Sequence, residues 1–153
     1  MTTQELPDQR AQLRDREHAV LTDLLAGRIP AGFDPAGSAM TTTVLIAKRW
    51  AAVRSLAPEL VHLADARQRF GRYAVHRQTD CAHTDLTSFV DWLAADADRS
   101  ATQWLRLHAV HDGRRRYALA MVNGRRVLAV GIGGTVWHLA LVPPATTTKG
   151  ARQ

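Results

Sequence analysis

QWLRLHAVHDGRRRYALAMVNGRRVLAVGIGGTVWHLALV, residues 103–142, is the stretch on which the fold turns. It reads as short apolar runs separated by tight reversals. Asn123-Gly124 between two such runs is a strong hairpin signal, because a type I′ turn needs positive φ at both central residues and Asn and Gly tolerate it. Gly133-Gly134 and Asp112-Gly113 mark two further reversals. The implied meander is strand A over 103–111, B over 116–122, C over 125–131 and D over 135–142, with A and D at the edges. Strand D is apolar on both faces: Trp137, Leu139 and Leu141 on one, Val136, His138, Ala140 and Val142 on the other. An edge of that kind attracts other strands unless it is covered. Either the helical half or the C-terminal tail covers it, or a partner peptide adds a strand there.

Working back from the sheet, the chain reads as helical. Leu13, Val20, Leu21, Leu24 and Leu25 form one apolar stripe over 8–26, ended by Gly27 and Pro30. In Gly32-Phe33-Asp34-Pro35, Asp34 suits an N-cap, Pro35 a first helical position and Phe33 a hydrophobic staple. A second helix over 35–56 is expected to bury Met40, Val44, Ala47, Ala51 and Trp50. Pro58 starts a third, with Leu60, Leu63, Ala64, Phe70 and Ala74 at helical spacing. After a loop over 77–83, Thr84 or Asp85 caps a fourth helix that buries Leu86, Phe89, Val90 and Leu93. The fold class is therefore α+β. A helical subdomain of about four helices covers 1–100, an antiparallel meander of three to four strands covers 101–143, and 144–153, PATTTKGARQ, reads as a flexible tail.

The net charge of +6 is unevenly placed. Residues 1–100 carry twelve Lys/Arg against thirteen Asp/Glu, and residues 101–153 carry eight against one. The strand-rich third is the basic one, so an acidic peptide, an acidic protein surface or a nucleic acid would be drawn to it. Eighteen of the 20 cations are Arg, which suits carboxylate and phosphate contacts and is also what a GC-rich genome produces. A single cysteine, Cys81, allows no internal disulfide and fits a cytoplasmic location. No apolar run reaches membrane-spanning length, and MTTQELPDQR has no signal-peptide core.

Catalytic chemistry is thinly represented. His76, Cys81 and His83, with Asp80 and Asp85 nearby, are the tightest set of metal-ligand types, but the spacing matches no zinc pair, and the reading is of no metal and no cofactor. Cys81 and His83 lack an orienting third residue for nucleophilic catalysis. There is no GxSxG, Walker A loop or strand-to-helix GxGxxG, and Gly131 to Gly134 reads as a turn. These absences favour a binding module over an enzyme. A nucleic-acid regulator of winged-helix type is the alternative, with Arg114, Arg115, Arg116, Arg125 and Arg126 in wing turns. Its weakness is that the most basic helix offers only Lys48, Arg49 and Arg54.

The segments LRDREHAVLTDLLAGRIPAGFDP, residues 13–35, and TTVLIAKRWAAVRSLAPEL, residues 42–60, carry a resemblance. Through Leu13, Arg16, Ala19, Leu24, Leu25, Gly27, Pro30, Gly32, Phe33, Asp34, Leu45, Lys48, Arg49 and Pro58, and more loosely FVDWL at 89–93, the chain resembles a family of actinobacterial partner domains. These are fused to, or encoded beside, multinuclear non-heme iron-dependent oxidases of the methanobactin-biosynthesis type. The resemblance implies a noncatalytic subunit that packs on such an oxidase and helps bind the leader of a ribosomally made precursor peptide. The irons would be held by the oxidase's own residues. On that basis Arg16, Gly32, Phe33, Asp34, Lys48 and Arg49 are either oxidase-interface residues or residues that fix the angle between the first two helices. From the sheet chemistry, Arg125, Arg126, Thr135, Val136, Trp137, His138 and Leu139 are the expected peptide-binding residues.

Overall fold

The structure is a computed structural model that describes residues 5–75, 77–79, 81–122 and 125–141, with side chains from residue 8 onward. In chain order the elements are α1 (Glu5–Leu25), α2 (Pro35–Leu56), a 3-10 helix (Pro58–His62), α3 (Ala66–Ala74), α4 (Ala82–Ala95), α5 (Arg99–His111), β1 (Tyr117–Val122), β2 (Arg125–Ile132) and β3 (Thr135–Ala140). This is an α+β fold with a C-terminal antiparallel meander, as the sequence implies. The chain forms two compact units, Met1–Pro58 with Asp65–Asp96, and Glu59–Ala64 with Ala97–Gln153. Asn123-Gly124, His76, Asp80 and the expected tail lie outside the described residues.

The helical unit is built on an aromatic cluster. Phe70 and Tyr73 of α3 meet Phe89 of α4 with ring centroids 5.3 and 5.4 Å from it, Trp50 of α2 lies 5.6 Å from Phe70, and Trp92 stacks on Phe89. The face that α2 buries matches the expected one only at Ala47 and Trp50, both half-buried. Met40 is 72% exposed and Val44 and Ala51 are also exposed, while Val53 is fully buried and Arg49 and Trp50 are half-buried. Apolarity alone points to Met40 and Val44, but the buried face is the one that carries Arg49. In α1, Leu24 is buried, but Leu13 and Leu21 are exposed, so only the last turns of that stripe are packed. The helix expected from Pro58 is broken at Asp65, whose φ of 54° is left-handed, and α3 starts after it. Neither Thr84 nor Asp85 caps α4: it begins at Ala82 and Asp85 is buried.

In the second unit the expected strand A is a helix. Asp98 caps α5 by accepting from Ala101 N–H at 2.8 Å. Ala101, Trp104, Leu107 and Val110 are all buried, a three-residue spacing that a strand cannot place on one face. Asp112-Gly113 closes this helix rather than a hairpin: Gly113 has φ 73°, and its N–H bonds the Val110 carbonyl. Strands B, C and D form β1, β2 and β3 in the order β1-β2-β3. One sheet face packs on α5 through Leu107 and Val110 against Ala118, Ala120, Val127 and Ala129, with Val122 and Val136 at its margin.

Candidate functional site

The turn before β3 fixes what that strand offers. Gly133 and Gly134 have φ of 58° and 79°, the positive pair a two-residue type I′ connection needs, and Ile132 faces Thr135 across it. From that pairing the register runs Val130 to Trp137, Leu128 to Leu139 and on to Leu141, whose N–H bonds Arg126 O at 2.9 Å. Antiparallel pairs alternate between bonded and non-bonded positions, so Thr135, Trp137, Leu139 and Leu141 spend their backbone groups on β2. The N–H and C=O of Val136, His138 and Ala140 therefore point away from β2, along the outer edge of the sheet.

Side chains follow the same alternation. Val136 lies against the core, and His138 shares its face. Trp137 and Leu139 are on the opposite face, 61% and 53% exposed, in register with Val130 and Tyr117 and with Leu128 and Leu119. That face is apolar and lies open across all three strands. Arg126 sits on it between Met121 and Leu141, and Arg125 pairs with Val122 at the β1–β2 end. Both arginines are exposed. Five of the expected peptide-binding residues, Thr135 to Leu139, thus form one edge strand, and Arg125 and Arg126 begin the strand beside it.

Behind His138 lies a group of ionisable residues that the sequence reading missed. The His138 ring meets those of His62 and His111, with centroids 6.3 and 5.8 Å away. Glu59 is buried; its Oε1 accepts from His108 Nδ1 at 2.7 Å, and its Oε2 lies 3.9 Å from His111 Nδ1. Trp104 stacks on His108 and donates its indole N–H to the Glu59 carbonyl at 3.1 Å. Burial alone would raise the Glu59 carboxyl, but the His108 hydrogen bond, its own backbone N–H and the charges of His111 and His108 outweigh it and hold Glu59 below 4.5. Burial pulls His62 and His111 below 6.5, with the neighbouring imidazoles adding to the effect and Glu59 opposing it.

These shifts give a pH dependence with a definite sign. Between the folded values of His62 and His111 and 6.5, the unfolded chain binds more protons, so stability present above 6.5 is lost as pH falls through that window. Glu59 adds a second loss as pH falls from 4.5 through its own lowered value. The melting temperature should therefore fall as pH is lowered from 7 to 5, and His62→Leu should flatten the slope. A melting temperature that is level or rises toward pH 5 contradicts this.

In the helical unit, Gly32 at φ 81° makes the reversal that precedes α2. Asp34 caps α2, its Oδ2 accepting from Gly37 N–H at 2.7 Å, and Pro35 opens the helix. Phe33 does not act as a staple. The position it would pack on is Ser38, and Phe33 is exposed. Arg16 and Lys48 are exposed as well. Arg49 points inward: its Nε and Nη2 donate to the two Asp85 oxygens at 2.9 and 2.7 Å, and Nη1 donates to Arg77 O at 2.8 Å. Tyr73 donates to Asp85 at 3.4 Å, and burial first, then the Asp85 charge, raises its phenol above the ordinary value. Arg49 is therefore a packing residue, which leaves α2 with Lys48 and Arg54 as its exposed cations and weakens the winged-helix reading.

The Asp85–Arg49 pairing had a signal in the sequence. Asp85 occupies the stripe of Phe89 and Leu93, Arg49 that of Val53, and a charge inside an apolar stripe calls for a partner of opposite sign. Cys81 and His83 are exposed at the start of α4. Among the described residues no group of three or more His, Cys, Asp and Glu could hold a metal ion, and no helix is long and apolar enough to cross a membrane.

No curated protein matches the chain, and no solved structure matches it either. A family model does match, over residues 14–95, more than half of the chain and most of the helical unit, and it stops before α5 and the sheet. The chain belongs to the family described as SCO6045-like, C-terminal domain.

Proposed function

We propose that this chain is a noncatalytic subunit that binds the leader of a ribosomally made precursor peptide along β3, for modification by a multinuclear non-heme iron-dependent oxidase that docks on the helical unit. The observation that carries it is the β3 edge, where Val136, His138 and Ala140 turn their backbone groups outward next to an exposed apolar face. An extended peptide can pair with those groups while its alternate side chains use the two faces. The basic excess of residues 101–153 favours an acidic partner and makes association sensitive to salt. For the oxidase, the supporting feature is apolar surface on α1, the following turn and α2: Leu13, Leu21, Phe33, Met40 and Val44 are all exposed.

Co-expression tests both halves of the reading. The chain should co-purify with a co-expressed multinuclear non-heme iron-dependent oxidase of the proposed type, and Met40→Glu together with Val44→Glu should separate the two. Leader peptide should bind the wild type and be lost on Val136→Pro or His138→Pro, each of which removes an outward-facing donor, in variants whose circular dichroism shows them folded. Arg125→Glu with Arg126→Glu should weaken binding and flatten its salt dependence. Folded proline variants that bind leader with wild-type affinity remove the edge-strand mechanism.

A further inference from the structure

A strand added to β3 would meet two chemically different rows. On the outer face it continues the rows that end in Trp137 and Leu139, so every second residue of the newcomer lies beside an exposed apolar side chain. On the inner face the interposed residue lies beside His138, whose ring contacts His62 and His111. The ionisable groups that face this cluster are Glu59 and His62 from the 3-10 helix, His108 and His111 from α5, and His138 from β3. Of these Glu59 is the carboxylate, and its short contact is with His108, leaving His111 at 3.9 Å.

We propose that β3 takes an alternating peptide, with apolar residues two apart over Trp137 and Leu139 and an Asp or Glu between them, its carboxylate received at His138. This rests on the edge-strand reading and adds the class of sequence recognised. A carboxylate brought to His138 supplies the negative charge that the imidazoles share only through Glu59. It stabilises the protonated forms of His62 and His111, which burial holds below 6.5 in the free chain, so binding takes up protons and strengthens as pH falls through and below 6.5. A second copy of the chain is a poorer occupant of the same edge. Pairing β3 with itself would bring two such histidine groups together on units that each carry eight cations against one anion over residues 101–153.

The test uses the full chain and labelled synthetic peptides read by fluorescence anisotropy. One peptide alternates Leu and Glu, a second has the same composition with Leu and Glu in separate blocks, and a third alternates Leu and Gln. At about pH 6, below the ordinary imidazole value, the first should bind about tenfold more tightly than either of the others. The margin over the Gln peptide should shrink at pH 8 and vanish in His138→Leu. Trp137→Glu should weaken all alternating peptides without changing the circular dichroism, because that side chain is exposed. Equal binding of the blocked peptide overturns the alternation, and the edge-strand reading then stands alone if Val136→Pro still abolishes binding. Undiminished binding in folded Val136→Pro protein overturns both. Concentration-dependent dimers that Trp137→Glu dissolves would assign the edge to a second copy instead.

Discussion

Arg49→Ala should destabilise the helical unit by about 3–5 kcal/mol, enough to leave a small domain largely unfolded. The Arg49 side chain is 9% exposed and that of Asp85 is 1% exposed, so removing the guanidinium strands a carboxylate that water cannot reach. Three further contacts go with it: the bonds to the carbonyls of Ala74 and Arg77, and the setting of the carboxylate that Tyr73 meets. The cost comes from the orphaned charge more than from the lost attraction. Arg49→Met combined with Asp85→Leu should therefore recover most of the loss, since well-packed apolar replacements of buried pairs are close to neutral. Urea unfolding of the two variants and the wild type decides it. A single variant within about 1 kcal/mol of wild type would show that water reaches Asp85 once the guanidinium is gone.

The second large effect is expected in the other unit. Trp104→Ala should cost about 3–5 kcal/mol, the range for emptying the place of a buried aromatic. Trp104 is 2% exposed, stacks on His108 at a centroid distance of 4.9 Å, and satisfies the Glu59 carbonyl. Its loss leaves a cavity beside the buried Glu59–His108 pair. Trp104→Phe refills most of the volume but not the hydrogen bond, and should cost less. Amide exchange across 59–64 and 99–141 is the appropriate readout, with protection falling most in α5 and β2 of the alanine variant. Unchanged protection there would mean that the ring is held by neighbours able to close over its absence.

The meander was legible because its turns are chemically explicit: Gly133-Gly134 permits the positive φ that a two-residue reversal needs, and the runs on either side of it are apolar and of strand length. The stretch before it was misread for a physical reason. Between Gln103 and His111 apolar residues occur at both two- and three-residue intervals, and periodicity alone left the choice open. The deciding signs were at the ends, Asp98 as N-cap and Gly113 as C-terminal cap, and Gly113 also fits a hairpin. On α2 the apolar residues run nearly all round the helix, so the buried face is selected by a charge that needs Asp85, 36 residues further along the chain. The edge strand could be named from the sequence; the histidines behind it could not, since His62, His111 and His138 come from three elements that only the fold assembles.

The two-residue connection at Gly133-Gly134 also works as a parity switch. Because it has no slack, the residue count between β2 and β3 determines which half of the β3 amides is offered to a newcomer and which half is consumed. One inserted residue that slid β3 by a single position would exchange the roles of odd and even residues. Trp137 and Leu139 would turn toward α5 and His138 toward solvent, while the outward amides became those of Trp137 and Leu139. On the proposed edge-strand reading, loop length here is thus a one-bit code for ligand preference, and a chain with a longer connection at this point would be expected to recognise a different peptide even if every residue of β3 were the same.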